Sequence, residues 1–203
     1  MASMTKLQKA KGKLLIGQVF FATLVMATPL IADATLPTAG TDMLKIYYNA
    51  AFIDGLSINQ IMFVLAHEVM HIVFKHGLRR GNRNAKLWNI ACDYAINLIL
   101  HEAGFEVLQG CLFDPQYKGM SAEQIYDKLK QQMDEENKKR KANGEGKADP
   151  GDTHAGAVAD GRDEQAQRLA GAHVDEQDRA RVGERLEPPD RLFEIGPSAD
   201  EAL

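Results

Sequence analysis

Residues 57–77 read SINQIMFVLAHEVMHIVFKHG, and the fold turns on how this stretch is built. Ser57 and Gln60 have the S-x-x-Q spacing of a capping box, in which hydroxyl and side-chain amide satisfy the orphan amide donors of a helix start. Ile61, Met62, Leu65, Val69, Ile72 and Val73 then form one apolar stripe, while Phe63, Val64, Met70 and Phe74 fill much of the remaining circumference. Gly77 is the residue type expected just past a helix end, with Lys75 and His76 in the last turn, where positive charge suits the dipole. A helix apolar nearly all round is a buried one. Yet His67, Glu68 and His71 sit in its middle, and burying three titratable groups is costly unless something compensates.

A metal ion supplies that compensation. His67-Glu68-Val69-Met70-His71 is an H-E-x-x-H pattern, and the i, i+4 spacing puts both imidazoles on one helical face, where they can hold one zinc ion. Glu68 lies roughly 100° round the helix from His67, beside the open position of the metal. There it can take a proton from a metal-activated water and pass it to a leaving amine. The plainer alternative is a pair of satisfied core histidines beside a surface glutamate. Placement in mid-helix, in an apolar context and with caps at both ends, favours the metal.

The third ligand decides between a structural and a catalytic site. The longer H-E-x-x-H-x-x-G-x-x-H pattern is absent, because Phe74 and Gly77 stand where it needs glycine and histidine. In a regular helix His76 points roughly 140° away from His71, so it is expected to serve the helix terminus or an outer partner rather than the metal. Asp93 is the better candidate. It is an acidic residue within the apolar run KLWNIACDYAINLIL, on a helix that Asn84 caps and whose apolar side is Trp88, Ala91, Ala95, Leu98 and Ile99. Asn97, one turn later on the same face, could orient a ligand. The alternative for Asp93 is an interhelical hydrogen bond, or a salt bridge to Arg79, Arg80 or Arg83.

Outward from this pair of helices the chain divides sharply. Residues 7–126 are rich in Leu, Ile, Val, Phe and Tyr, whereas residues 127–192 contain no aromatic residue and residues 131–190 are dominated by charge, Gly, Ala and Pro. So little apolar surface cannot offset chain entropy. The expectation is one domain over residues 5–130 and a charged low-complexity tail over 131–203, mostly disordered, with the 128–141 run able to prolong the last helix from its Ser121/Gln124 capping box. Met43–Tyr48 reads as a strand with Leu44, Ile46 and Tyr48 on one face, preceded by a short partner strand around Ala34–Leu36.

The whole chain is of average composition: 203 residues, 45% hydrophobic, 26% charged, net charge −4. A strongly basic nucleic-acid binder is thereby disfavoured, and the cluster Arg79, Arg80, Arg83 and Lys86 reads as a solvated loop. Two cysteines, Cys92 and Cys111, exclude a disulfide framework and a four-cysteine zinc site. The N-terminus has two readings. Lys6, Lys9, Lys11 and Lys13, then an apolar run, then Ala32-Asp33-Ala34, is the layout of a signal peptide, with export after Ala34. The other reading is a buried amphipathic helix through Leu7, Ala10, Leu14, Phe21, Leu24 and Val25, stopped by Pro29, in a cytoplasmic protein without stable membrane association.

The run AHEVMHIVFKHGLRRGNRNAKLWNIACDYAINLIL closely resembles the metallopeptidase-like domain that often precedes a von Willebrand A-like domain in bacterial and phage proteins. The similarity extends through TLPTAGTDMLKIYYNAAFIDGLS on one side and DPQYKGMSAEQIYDKL on the other, about residues 5–130 in all. The resemblance implies a zincin-like α+β fold, mainly helical, with a small hairpin or sheet packed on the active helix. It implies Asp93 as third ligand, within a W-N-x-A-x-D-x-x-x-N pattern formed by Trp88, Asn89, Ala91, Asp93 and Asn97. It also implies that the first helix is retained. Residues 131–203 have no alternating strands, so no A-like module is expected within them.

The expected function is therefore a zinc-dependent metallopeptidase. His67, His71 and Asp93 hold Zn2+, Glu68 is the general base, a peptide or protein is the substrate, and the Leu44–Tyr48 strand aligns it by main-chain pairing. The alternative is a non-catalytic, metal-stabilised interaction module working with a AAA+ ATPase, the partner that the resemblance suggests. No nucleic-acid partner is expected.

Overall fold

Helix α4 (Ile58–Val73) is the element around which the others are arranged. Its start is the capping box read from the sequence: Ser57 Oγ accepts from the Gln60 amide at 3.2 Å, and Gln60 Oε1 accepts from the Ser57 amide at 2.8 Å. Ten of its residues, Ile61 to Ala66 and Glu68 to His71, are buried.

The structure, a computed structural model, describes residues 2–142; the tail expected beyond them lies outside the described residues. Before α4 come α1 (Ala2–Gly17), α2 (Val19–Ala27), three short strands and α3 (Ala50–Gly55). After it come the single turn α5 (His76–Arg79), α6 (Ala85–Glu102), a 3-10 turn at Pro115–Tyr117 and α7 (Ala122–Ala142). The fold is thus mainly helical with one small sheet. The strands β1 (Leu30–Ala32), β2 (Ala39–Thr41) and β3 (Ile46–Tyr48) lie in the order β1-β3-β2, β1 parallel and β2 antiparallel to β3. No helix among the described residues is long and apolar enough to cross a membrane.

The apolar N-terminal run belongs to the core. Leu7, Ala10 and Leu14 of α1 and Phe21, Ala22 and Val25 of α2 are buried with Ile61, Phe63, Leu65, Ala66 and Val69 of α4. Each large side chain so buried stabilises the fold by about 1.5–3 kcal/mol. The single helix expected here is two, because the chain breaks at Gln18, whose Nε2 donates to the Ala103 carbonyl at 2.7 Å.

The strand register also differs from expectation. Met43 and Leu44 are not in β3 but in the turn before it, where Asp42 Oδ1 accepts from the amides of Leu44 and Lys45 at 2.9 and 2.7 Å and Met43 adopts φ 75°. Leu44 is consequently exposed. Residues 34–36 form no strand; Asp33 Oδ1 accepts from the amide and hydroxyl of Thr35, an Asx-type turn that competes with extended pairing.

Helix α6 is buried on two sides. Leu87, Trp88, Ala91, Cys92, Ala95 and Leu98 pack with Tyr117, Ala122, Ile125 and Tyr126 of the following elements, while Ile96 and Leu100 join the core with α4. Helical spacing therefore turns Asp93 and Asn97, which share the Ile96/Leu100 side, toward α4.

Candidate metal centre

Three side-chain atoms from α4 and α6 converge. His67 Nε2 and His71 Nε2 are 3.1 Å apart, and Asp93 Oδ1 lies 3.2 Å from the second and 3.5 Å from the first. Four-coordinate zinc with ligand bonds of about 2.0–2.2 Å separates neighbouring ligand atoms by about 3.4 Å. The observed triangle has those edges without any rearrangement. A further sign is Asp93 Oδ2, a buried oxygen with no hydrogen-bond partner. Two imidazoles and a carboxylate are a donor set that fits a divalent ion.

Outer partners fix both imidazoles. His67 Nδ1 is 2.9 Å from Asn97 Oδ1, and Asn97 Nδ2 donates to the Leu112 carbonyl at 2.8 Å. The second bond sets which way the amide faces, so the Asn97 oxygen accepts from His67 Nδ1 and leaves the Nε2 lone pair for a metal. His71 Nδ1 is 3.1 Å from His76 Nδ1. Burial alone would lower His67, but the hydrogen bond and charge of Asp93 outweigh it and raise the imidazole to about 8. Burial would raise Asp93, yet hydrogen bonds from His67 and His71 pull it down to about 2.

Glu68 is 6% exposed and borders the same cleft, whose other walls include Thr38, Ala39, Phe52, Phe63, Leu108 and Leu112. Burial raises its pKa, the charge of Asp93 adds to this, and the two histidines oppose it. A buried carboxylate of raised basicity beside these three side chains is suited to proton transfer. The cavity measures about 20 Å³, space for about one water. Cys111 also lines it, with a thiol pushed up to about 12 by burial.

The structure thus brings His67, Glu68, His71 and Asp93 together, and Asp93 is not tied to the arginines. Arg79 instead pairs with Glu123 at 2.6 Å and donates to the Phe74 carbonyl at 3.0 Å. Three expectations are corrected. Helix α4 stops at Val73 rather than continuing to Gly77, because Lys75 takes the left-handed conformation at φ 53°. His76 therefore does not point away from His71 or serve as a charged helix-terminal group. It is buried against His71, and burial together with the charges of His71 and Arg79 lowers it to about 2. Gly77 is needed for a close approach instead: a Cβ there would stand 3.0 Å from Met43 Cγ. Finally, β3 is the central strand with both edges paired, so it cannot align a peptide. The strand bordering the cleft is β2, through Ala39.

Sequence reasoning gave His76 a helix-terminal role or an outer partner, without identifying that partner as His71. The one available signal was a histidine just beyond a helix that is apolar nearly all round. The cleft walls Phe52 and Leu108 carried no local signal at all.

A helical domain thus gathers two histidines of one helix and an aspartate of the next into a candidate metal site. The sequence matches the profile of a family described as "Putative metallopeptidase domain" over residues 2–200, and the chain belongs to that family. No curated protein and no solved structure matches it.

Proposed function

We propose that the chain is a zinc-dependent metallopeptidase of zincin-like architecture, acting in the cytoplasm on a peptide or protein. The observation that carries this reading is the triangle of His67 Nε2, His71 Nε2 and Asp93 Oδ1, with edges of 3.1–3.5 Å and Glu68 beside it. An ion held there supplies Lewis acidity for a carbonyl and acidifies water at neutral pH. The residues of the chain do the rest. Asn97 keeps the His67 ring oriented, and Glu68 removes a proton from the attacking water and returns it to the departing amine. Strand β2 borders the cleft through Ala39, and an extended peptide would be aligned beside it. Removing residues up to Ala34 would strip Leu7, Ala10, Leu14, Phe21 and Val25 from the core, which supports retention of the first helix.

The small size of the cleft favours a second reading. With space for about one water, about 20 Å³, it is narrow, which supports a non-catalytic, metal-stabilised module, for which a AAA+ ATPase is the proposed partner. The two separate in one experiment: metal content by elemental analysis on the full chain and its Glu68→Gln variant, beside a peptide-library cleavage assay. A peptidase keeps its metal and loses cleavage on substitution. Cleavage that persists in the variant, or a wild type that holds metal and cleaves nothing, removes the peptidase reading.

A further inference from the structure

We propose that His76 is a positioning residue of the metal centre: it accepts the Nδ1 proton of His71 and thereby holds His71 in the tautomer and ring orientation that turn Nε2 toward the ion. The inference rests on the metal reading above and deepens it.

A neutral imidazole that binds metal through Nε2 must carry its proton on Nδ1, and that proton needs an acceptor when the ring is buried. His71 is 2% exposed, and its Nδ1 faces His76 Nδ1 at 3.1 Å. One proton fits between two such nitrogens; two would clash and none would set lone pair against lone pair. With the proton on His71, Nε2 is free to ligate, and His76 keeps its own proton on Nε2. With the proton on His76, the remaining proton of neutral His71 sits on Nε2, inside the triangle, where an ion must displace it. The His71/His76 pair therefore has a metal-ready and a metal-blocked arrangement, and ion binding selects the first. His67 receives the same service from Asn97, so each histidine ligand has an outer acceptor.

His76 cannot itself complete the triangle, because it meets His71 at Nδ1 while the triangle lies at Nε2. Nor is its placement a by-product of helix geometry, since a continuous helix would direct it roughly 140° away. The chain reaches this position by leaving α4 at Phe74 and passing through left-handed Lys75, a conformation that costs a non-glycine residue about 1–2 kcal/mol. Two further contacts hold the departure in place. Trp88 Nε1 donates to the His76 carbonyl at 2.9 Å, and Met43, itself at φ 75°, lies over Gly77 so closely that a side chain there would meet it. Strain retained at adjoining segments beside a candidate site is the pattern expected where the surroundings over-determine a functional geometry.

The test uses the full chain, stripped of metal by chelation and reloaded with Zn2+, as wild type, His76→Gln and His76→Leu. Zn2+ affinity is measured by competition with a chromogenic chelator, and thermal melts of the metal-free forms report the structural effect separately. Imidazole nitrogen NMR of the Zn2+-loaded wild type reads the tautomer of His71 directly. The expected result is His71 protonated at Nδ1 with Nε2 on the metal, a Zn2+ affinity about 10–100-fold weaker in His76→Leu, and recovery of most of that loss in His76→Gln, whose amide oxygen can accept. Equal affinity in wild type and His76→Leu overturns the proposal, as does a His76 nitrogen shifted by direct coordination. Should His76→Leu fail to fold, the His71 tautomer in the wild type decides alone. A wild type that takes up no Zn2+ overturns the metal centre itself, a result distinct from a wild type and variant that bind equally.

Discussion

Asp93 Oδ1 lies 3.2 Å from His71 Nε2, a contact that joins the middle of α6 to the end of α4. Its partner oxygen Oδ2 is buried and unsatisfied. A carboxylate left half-satisfied in a protein interior is costly, and a bound cation is the simplest thing that relieves it. Asp93→Asn keeps the shape of the side chain and removes its charge. The expected outcome is a Zn2+ affinity reduced by more than about 100-fold, beyond what loss of an outer partner causes. Chelator competition with elemental analysis checks it, and undiminished affinity would assign the third ligand elsewhere.

Glu68 borders the cleft without belonging to the triangle, so its removal separates chemistry from metal binding. Glu68→Gln should leave Zn2+ affinity within a few-fold of wild type and lower peptide hydrolysis by about 100- to 10,000-fold, the usual contribution of a positioned general base. A parallel loss of metal in this variant would mean that Glu68 acts as a ligand, contrary to its place in the site.

Asn97 has two roles that two variants can divide. Its oxygen faces His67 and its nitrogen satisfies the Leu112 carbonyl. Asn97→Leu removes both, so Zn2+ affinity should fall about 10–100-fold and the metal-free protein should lose about 1–3 kcal/mol from the orphaned carbonyl. Asn97→Asp keeps an acceptor for His67 and sets an oxygen against the carbonyl. It should retain the affinity better than the stability, as measured by chelator competition and urea unfolding.

Much of the centre was legible because it follows from local rules. The i, i+4 histidines, the Ser57/Gln60 and Asn84 caps and the helical sharing of a face by Asp93 and Asn97 are all set within a few residues, and all stand in the structure. What was not legible depends on partners distant in sequence. Gly77 looked like the helix stop, yet Lys75 is the left-handed residue, and Gly77 instead makes room for Met43 from the β2–β3 turn. Strands of three residues carry too little periodicity to fix a register, and here side-chain turns at Asp33 and Asp42 decide where pairing begins and ends. His76 lies against His71 because the helix has already ended at Val73, so helical angles could suggest an outer partner for it but not which one.

The raised imidazole of His67 gives metal binding a pH dependence of defined sign. His67 is raised from 6.5 to about 8 in the folded protein, so its contribution to the stability of the metal-free form is fully present below pH 6.5 and is lost as pH rises through 8. Glu68, also raised, acts in the same direction above its ordinary value. An ion must displace the His67 proton, so apparent Zn2+ affinity falls as pH drops below 8, by up to about tenfold per pH unit for that one proton. The Tm difference between Zn2+-loaded and chelator-treated protein should therefore widen from pH 6.5 to 8.5. A difference that stays constant over this range would show that no proton is exchanged for the ion.

Lys75 offers a test of the backbone break that needs no change to any ligand. At φ 53° and ψ 41° it lies where glycine is at ease and other residues are strained by about 1–2 kcal/mol. Lys75→Gly relieves that strain but gains freedom in the unfolded chain worth about 0.5–1 kcal/mol, so the net expectation is a stabilisation of up to about 1 kcal/mol. The local backbone bonds survive the change: the residue 75 amide still donates to Ile72, and its carbonyl still accepts from Leu78 and Arg79. Zn2+ affinity should then be unaltered. Lys75→Pro is the opposite case, since the ring fixes φ near −65° and removes the amide that bonds to Ile72. That variant cannot make the turn that returns His76 to His71. It should unfold at lower urea and bind Zn2+ more weakly than wild type even where it remains folded. If the proline variant kept full affinity, the break at Lys75 would have no part in forming the site.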